Sequence, residues 1–453
     1  MPRRLGLLQA TALNMIDMVG IGPFVVLPLV IQLMGGPHFL WAWILGAVIS
    51  LIDALVWSEL GAAYPQAGGS YNFLKIAYGE KRWGKLLSFL YVWQTMIQAP
   101  LVVASGAIGF AQYASYLIPF DEWERKAVSG GVVILITLLL YRKIESIGRI
   151  SILLWICVLA TLGWIIWGGL TGGQQTVSLA LPTGESLSGL FGAGLGIASV
   201  KTIYCYLGYY NVCHLGGEIR NPSRIIPISM LISVVGIAIL YLAMNWSVVK
   251  VIPWQEAQHS EFIISAVIER LYGTRAGSIA TFMVLIVAFS SLFAVLLGYS
   301  RVPYAAAADG QFFRIFAKLH PTRHFPYISL LFLGGLGFGF SLLFRLSDVI
   351  TAILAMRIVV QFIGQAIGLL LLHRRKQTDS FPFRMPLYPL PVLLVIAIWT
   401  FIFISTGPTF MLSGLTVIAL GIIAFLITAR IRKQWPFDAA DQPATPLVDP
   451  AEP

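Results

Sequence analysis

Residues 19–24 read Val-Gly-Ile-Gly-Pro-Phe, and they lie in the middle of an apolar stretch that runs from about Leu7 to Leu33. This stretch is long enough to cross the hydrocarbon core of a membrane, which takes about 20 residues at a rise of 1.5 Å each. Proline has no N–H group and suits the first turn of a new helix. The sequence therefore predicts a spanning helix that stops near Gly20 and restarts at Pro23.

A second interruption is predicted at residues 204–211, which read Tyr-Cys-Tyr-Leu-Gly-Tyr-Tyr-Asn. This segment falls in the sixth of about twelve apolar stretches, and the first interruption falls in the first. A single glycine would be weak evidence, because glycine is common in membrane helices and often permits close packing. Two breaks in the first and sixth stretches favour a transporter whose broken helices present unpaired backbone groups at mid-bilayer.

The composition indicates the solvent in which this chain folds. Of its 453 residues, 58% are hydrophobic and 11% are charged, and the mean hydropathy is +0.82. So few charges could not cover the surface of a water-soluble protein. We predict an all-α membrane protein, since lipid offers backbone groups no hydrogen-bond partner. About twelve spans are expected, near residues 8–32, 38–62, 85–117, 128–141, 148–169, 191–216, 226–248, 277–306, 326–344, 347–373, 388–406 and 410–430.

The distribution of charge predicts the orientation. The net charge of +10 lies in short loops between apolar blocks, not in a basic domain of the kind that binds nucleic acid. Most of the 30 lysines and arginines fall on the side shared by the two termini, so both termini are expected in the cytoplasm, with the chain in the cytoplasmic (inner) membrane. The tail at 434–453, rich in Pro, Ala and Asp, is expected to be disordered.

The sequence lacks the marks of a membrane enzyme, which is the main alternative class. It has no paired His/Asp/Glu cluster, nucleophile motif, metal-spaced cysteine pair or ATP-binding loop. Sequences that form the filter ring of a channel are also absent. We predict a transporter with no metal and no cofactor, driven by an ion gradient or by exchange.

Four segments carry a resemblance to a known family. They are Gly-Ile-Gly-Pro-Phe at 20–24, Ser-Glu-Leu-Gly-Ala-Ala-Tyr-Pro-Gln-Ala-Gly-Gly-Ser-Tyr at 58–71, Gly-Glu-Ile-Arg-Asn-Pro-Ser-Arg at 217–224, and 300–310, which begins Ser-Arg-Val-Pro-Tyr-Ala and ends Asp-Gly. Over nearly its whole length the chain resembles amino acid permeases of the amino acid-polyamine-organocation (APC) superfamily. This resemblance implies a five-plus-five inverted repeat, the LeuT-like fold, with repeat one at about 8–169, repeat two at about 191–373 and appended helices at about 388–430.

The resemblance also implies a substrate site between the two breaks. In that family the substrate carboxylate meets backbone N–H groups of span one and the amine meets carbonyl groups of span six, which suits the charges of helix ends. The ring of Tyr204 matches the aromatic residue that closes the site from outside. Carried over by position, the substrate-binding residues are Gly20, Ile21, Gly22, Tyr204, Cys205, Leu207 and Gly208.

An amino acid is the expected substrate, and a polyamine or another organic cation is the alternative. The Gly-Pro-Phe string and Leu-Gly-Gly-Glu at 215–218 resemble the polyamine-transporting branch, and Asp17 and Asp53 could face a cation. Two departures from the usual pattern affect the site. Pro23 removes one possible N–H donor, and Leu207, where many amino acid permeases have glycine, should narrow the pocket.

Ionisable residues within spans are expected at functional positions or in buried pairs, because burial of a charge in lipid is costly. Asp17 lies one turn before the first break. In a functional role it would carry a proton or influence a bound cation, and in a structural role it would cap the broken helix or pair with Arg357. Arg357 lies too deep to reach the surface, whereas Lys201 could extend to the outer surface.

Glu59 and Glu218 lie at cytoplasmic span ends and are expected to organise an inner gate with arginines. The candidate partners are Arg220, Arg224 and Arg301. The coupled ion is expected to be a proton or a sodium ion, and the sequence favours neither. In the family that the chain resembles, proton-coupled or exchanging members often have a lysine in span five in place of a sodium ion, but span five here contains no lysine. Ser290 and Ser291 of span eight lie about one turn early for the sodium-ligating position of that family.

Overall fold

The computed structural model describes residues 3–142, 144–177, 193–343 and 346–437. Within these ranges the chain is almost entirely helical, and one isolated bridge joins Leu5 to Ile219. The longer helices of the first half are α1 (Leu7–Met18), α2 (Gly22–Met34), α3 (Leu40–Ala63), α4 (Ser70–Ala77), α5 (Trp83–Ala114), α6 (Glu122–Leu140) and α7 (Ile144–Gly172).

The second half is helical in the same way. Its helices are α8 (Ala193–Tyr206), α9 (Asn211–His214), α10 (Pro222–Val251), α11 (Trp254–Ala257), α12 (Ile263–Tyr272), α13 (Thr274–Tyr299), α14 (Arg301–Ala308), α15 (Tyr327–Leu343), α16 (Leu346–Arg357), α17 (Gly364–Arg374), α18 (Leu390–Ser405) and α19 (Pro408–Ile431). A π-helical turn, Ile358–Ile363, joins α16 to α17. The all-α prediction is confirmed.

Membrane-spanning length and apolarity are found in seven helical segments of the described chain. The bent pair α1 and α2 raises this number to eight when it is treated as one span. The helices α15 and α18 are apolar but shorter. The chain is therefore an integral membrane protein with several spanning helices.

The first predicted break is present. The helices α1 and α2 meet at an angle of 43° across residues 19–21. The second helix begins at Gly22, one residue before the predicted restart, with Pro23 in its first turn. Proline has no N–H to donate at that position, so it starts α2 without leaving a donor unpaired.

The sixth predicted span is interrupted as well. The helix α8 ends at Tyr206, four residues follow in turns, and α9 covers only Asn211–His214. Gly208 has a φ of 126°, a conformation that other residues rarely adopt. A side chain there would also collide with α1, since a Cβ atom would lie 2.8 Å from the backbone nitrogen of Met18.

The two broken segments lie inside the helical bundle. The helix α1 packs against α7, α10 and α13, and α8 packs against α2 and α3. In contrast, only 17% of the apolar window of α19 is buried. The broken spans are thus surrounded by protein, where unpaired backbone groups can be accommodated, and α19 lies at the periphery.

Some sequence-based expectations fall partly outside the described residues. The expected disordered tail is described only at residues 434–437, and the start of the sixth predicted span at 191–192 is outside as well.

Candidate functional site

One cavity lies where the two breaks meet. Its wall includes every residue that sequence analysis assigned to substrate binding, and also Asp17 and Arg357. The helices α5 and α13 complete the wall. They contribute, among others, Val102, Gly106, Ser291, Leu292 and Tyr299. Among the described residues that line it, Asp17 and Arg357 are the charged ones.

The first break presents an unpaired backbone donor to this cavity. The N–H of Gly20 donates to the carbonyl oxygen of Met18 at 3.2 Å, and the next turn begins with the N–H of Phe24 on the carbonyl of Ile21 at 3.2 Å. Between them, the N–H of Ile21 has no acceptor in the described part of the chain. The start of α2 also carries the positive end of a helix dipole, so this wall of the cavity suits an anion.

The carbonyl groups at both breaks are tied together by a tyrosine of α10. The hydroxyl of Tyr241 lies 2.7 Å from the carbonyl oxygen of Met18 and 3.1 Å from that of Cys205. Tyr241 is fully buried. The C-terminal ends of α1 and α8 are therefore held side by side, and their carbonyl groups form the negative part of the site.

Glycines keep the backbone of the first break open. A Cβ atom at Gly20 would lie 2.7 Å from Oγ of Ser291, and one at Gly22 would lie 3.3 Å from a ring carbon of Tyr204. The hydroxyl of Tyr204 is 2.9 Å from Oγ of Ser105 on span three. The ring of Tyr204 thus lies over Gly22 and bridges the sixth span to the third.

Asp17 lies at the C-terminal end of α1 and lines the cavity. Its carbonyl oxygen accepts a hydrogen bond from Oγ of Ser291 at 3.1 Å. No ion pair joins Asp17 to Arg357 in the described chain. The direct pairing considered from sequence is absent, although both side chains border the same cavity.

Arg357 is 2% exposed and ends α16 at the start of the π-helical turn. Its Nε donates to Oε1 of Gln361 at 3.0 Å, and its Nη2 donates to the hydroxyl of Tyr299 at 2.6 Å and to that of Tyr210. The guanidinium carbon also lies 5.2 Å from the centre of the Tyr210 ring. Tyr210 and Tyr299 were not predicted from the sequence as partners of Arg357. Of the two, Tyr210 could have been considered, because it lies in the break of the sixth predicted span.

Two other charged residues of the spans lie away from the cavity. The ammonium group of Lys201 donates to the hydroxyl of Thr351 at 3.0 Å. The carboxylate of Asp53 accepts hydrogen bonds from Tyr209 and, at 3.2 Å, from Nε1 of Trp399. Asp53 is 1% exposed, so it acts as a packing partner between helices.

The two glutamates predicted to organise an inner gate differ in their partners. Glu218 forms a buried ion pair with Arg301, one of the three arginines considered, with 3.0 Å between Nη2 and Oε1. Among the described residues Glu59 forms no ion pair with an arginine, so the expected arginine partner is not found there. Its carboxylate contacts Nε2 of His373 at 2.6 Å and accepts the N–H of Met385 at 2.9 Å. The reason is its position at the end of α3, which faces the end of α17 and the loop that follows.

The described residues contain no group of three or more His, Cys, Asp or Glu that could hold a metal ion. The chemistry available at the cavity is therefore that of two helix ends of opposite polarity, one carboxylate, one guanidinium and several hydroxyl groups. Such a site can bind a small molecule with separate positive and negative groups.

Comparison with known proteins gives a family match over most of the chain. Residues 5–430 match the profile of a family described as amino acid permease. The serine/threonine exchanger SteT of Bacillus subtilis is 25% identical over 408 residues, which cover 89% of this chain and 91% of the exchanger. The human cystine/glutamate transporter is 25% identical over 401 residues, with coverage of 85% and 77%. The methylthioribose transporter of B. subtilis is 22% identical over 448 residues, with coverage of 94% of both chains.

Proposed function

The chain belongs to the amino acid permease family, and on that premise we propose that it is a secondary transporter that carries an amino acid across the cytoplasmic membrane by alternating access. The observation that carries this proposal is the single cavity at which both broken spans end. The similar serine/threonine exchanger and cystine/glutamate transporter support an amino acid as the substrate class.

The architecture proposed for this function has twelve spans. Spans one to five, at about 8–169, and spans six to ten, at about 191–373, form the two inverted repeats, and two helices at about 388–430 are appended. The equivalent positions of the breaks, in the first span of each repeat, support this arrangement. The loop distribution of lysine and arginine supports cytoplasmic termini.

The substrate is proposed to lie between the breaks with its charges matched to the helix ends. Its α-carboxylate takes the side of Gly20, Ile21 and Gly22, where the N–H of Ile21 is unpaired. Its ammonium takes the side of the carbonyl groups at Tyr204 and Cys205. Leu207 and Gly208 complete that wall.

Asp17 is proposed to be the coupling group, because it lies at the break itself and borders the cavity. A coupled proton would reside on its carboxylate, and a coupled sodium ion would use the nearby carbonyl group that Ser291 now holds. Glu218 and Arg301 are proposed as a cytoplasmic seal that opens when the cavity faces inward. Glu59 and Lys201 act in the same rearrangement.

The polyamine alternative is not favoured. The matched relatives named above do not include a polyamine carrier. The cavity also holds the guanidinium of Arg357, which repels a second positive charge, and Asp53 is bound by Tyr209 and Trp399 away from the cavity wall.

The test is uptake by the purified protein in liposomes. A panel of radiolabelled amino acids is supplied outside, with either an ion gradient or an internal amino acid as the driving force. We expect uptake of at least one amino acid above that of protein-free liposomes. Uptake of putrescine or spermidine without uptake of any amino acid would contradict the proposal.

A further inference from the structure

We propose that Arg357 binds a second carboxylate on the substrate, so that the amino acid carried has an acidic side chain. This inference rests on the proposed function and narrows its substrate class. It comes from the way in which the guanidinium is buried.

Arg357 is a buried cation that forms no ion pair in the described chain, although Asp17 borders the same cavity. It is 2% exposed, and its hydrogen bonds go to the neutral groups of Tyr210, Tyr299 and Gln361. A buried arginine ordinarily meets a carboxylate or phosphate, because only an anion offsets the loss of hydration of the charge. Arg301, which is also buried, has such a partner in Glu218.

The donors of Arg357 are only partly used. Its Nε and Nη2 are engaged by these three neutral side chains, whereas Nη1 has no acceptor in the described residues. The residue lines the central cavity, and Nη1 is not among the side-chain nitrogens sealed away without a partner. A planar guanidinium with a free Nη1 beside the cavity can bind a carboxylate that arrives with the substrate.

The α-carboxylate of the substrate already has another place. The N–H of Ile21 and the positive end of α2 attract it to the first break, and the carbonyl ends of α1 and α8 attract the ammonium. Asp17, at the end of α1, adds to the negative side. Arg357, from span ten, forms no ion pair with Asp17 in the described chain. Its guanidinium is therefore available to the side chain of the substrate.

Tyrosines restrict the position of the guanidinium. The rings of Tyr210 and Tyr299 lie 5.2 and 5.8 Å from its central carbon, and their hydroxyl groups accept from its Nη2. A preorganised donor of this kind discriminates strongly between a carboxylate and its neutral amide, because the amide leaves the buried charge without a counter-ion.

The experiment compares acids with their amides in liposomes that contain the full chain. Uptake of glutamate and aspartate is measured beside uptake of glutamine, asparagine and serine. The wild-type protein is expected to favour the acid over its amide by at least about tenfold in kcat/KM. This part needs no variant, so it does not depend on whether a mutant folds.

Arg357→Gln is then expected to remove the preference by lowering kcat/KM for the acid about a hundredfold, with little change for serine. Arg357→Lys should keep part of the preference, since it retains the charge but not the planar fork. Arg384→Gln, which removes an exposed arginine of a surface pair, is the control and should keep the full preference.

The outcomes separate the two proposals. Equal transport of acids and amides by the wild-type protein would overturn the role of Arg357 and leave amino acid transport standing. Equal loss of all amino acids in Arg357→Gln, with the protein folded, would also overturn it, because Arg357 would then serve the α-carboxylate. Failure to transport any amino acid would overturn the proposed function and this inference together.

Discussion

The central cavity and the Glu218 site each contain a buried arginine, and the two arginines differ in what surrounds them. Arg301 is 1% exposed and is paired with Glu218 and bonded to the carbonyl of Leu297. Arg357, at the cavity, is 2% exposed, and within the described residues its hydrogen bonds go to neutral groups. The comparison indicates that burial alone does not define a role. The pair of Arg301 and Glu218 is complete within the protein, whereas Arg357 is proposed above to pair with a ligand.

The largest expected effect is a loss of transport without a loss of folding, caused by a substitution at the cavity. Gly22→Leu should abolish uptake and leave the protein folded in detergent, because even a Cβ atom there would lie 3.3 Å from the Tyr204 ring. The measurement is uptake in liposomes together with elution as a single folded species. Gly163→Leu is the matched control, since a Cβ atom at Gly163 would meet no atom within 4 Å. Normal uptake by Gly22→Leu would refute the proposed position of the substrate.

The next effect concerns the stability that the buried pair of Arg301 and Glu218 contributes. Arg301→Gln leaves the buried carboxylate of Glu218 without a counter-ion, and we expect it to cost about 3–5 kcal/mol of folding free energy. Arg357 forms no ion pair within the described residues, so Arg357→Gln breaks no close pair and should cost less, about 1–3 kcal/mol. Thermal unfolding in detergent compares the two variants. The double variant Glu218→Gln with Arg301→Gln should recover much of the loss. Equal destabilisation by both single variants would remove the distinction between the two arginines.

A smaller and more specific effect is expected at Asp17. A neutral side chain can still form hydrogen bonds but cannot load and release a proton, so Asp17→Asn should keep substrate exchange and lose accumulation driven by a pH gradient. Asp53→Asn is the comparison, because Asp53 is bound by Tyr209 and Trp399 and does not line the cavity. The folded fraction of Asp53→Asn should keep gradient-driven accumulation. Unchanged accumulation by Asp17→Asn would exclude a proton-carrying role.

The smallest effect is expected for a partly exposed ion pair between Lys75 of α4 and Asp309, the residue after α14. The two charged groups lie 2.7 Å apart, but their side chains are 21% and 38% exposed. Lys75→Met should change the free energy of unfolding by about 1 kcal/mol or less, because water screens such a pair. A Tm shift as large as that of Arg301→Gln would show that this partly exposed pair contributes as much to stability as the buried one.

The breaks could be predicted from sequence because their cause is local. Glycine and proline are clustered within residues 19–24, and Gly208 has a positive φ, so each break has its cause within a few residues of the chain. The second helix begins at Gly22, one residue before the predicted start at Pro23, since proline is tolerated throughout the first turn. The resemblance to the family then assigned seven residues to the site by position, and all seven line one cavity.

The partners of the buried charges could not be predicted in the same way. Tyr210 and Tyr299 are separated by nearly ninety positions and meet Arg357 only after three spans pack together. Glu59 likewise finds His373 across the fold, and nothing near either residue in the sequence favours histidine over arginine as the partner. Long-range pairing of this kind is determined by helix packing, which depends on the whole bundle.

Tyr241 has a single hydroxyl proton, and two carbonyl oxygens lie within reach of it, one at each break. The two carbonyl groups therefore compete for one donor, and full strength at Met18 means a weaker bond at Cys205. One hydrogen bond contributes about 1 kcal/mol, which corresponds to roughly a fivefold change in the ratio of two populations. We expect a small displacement of either broken span to change the hydrogen bond of Tyr241 to the other span. The ratio of the two populations should change by up to that factor, even when no group of the substrate takes part.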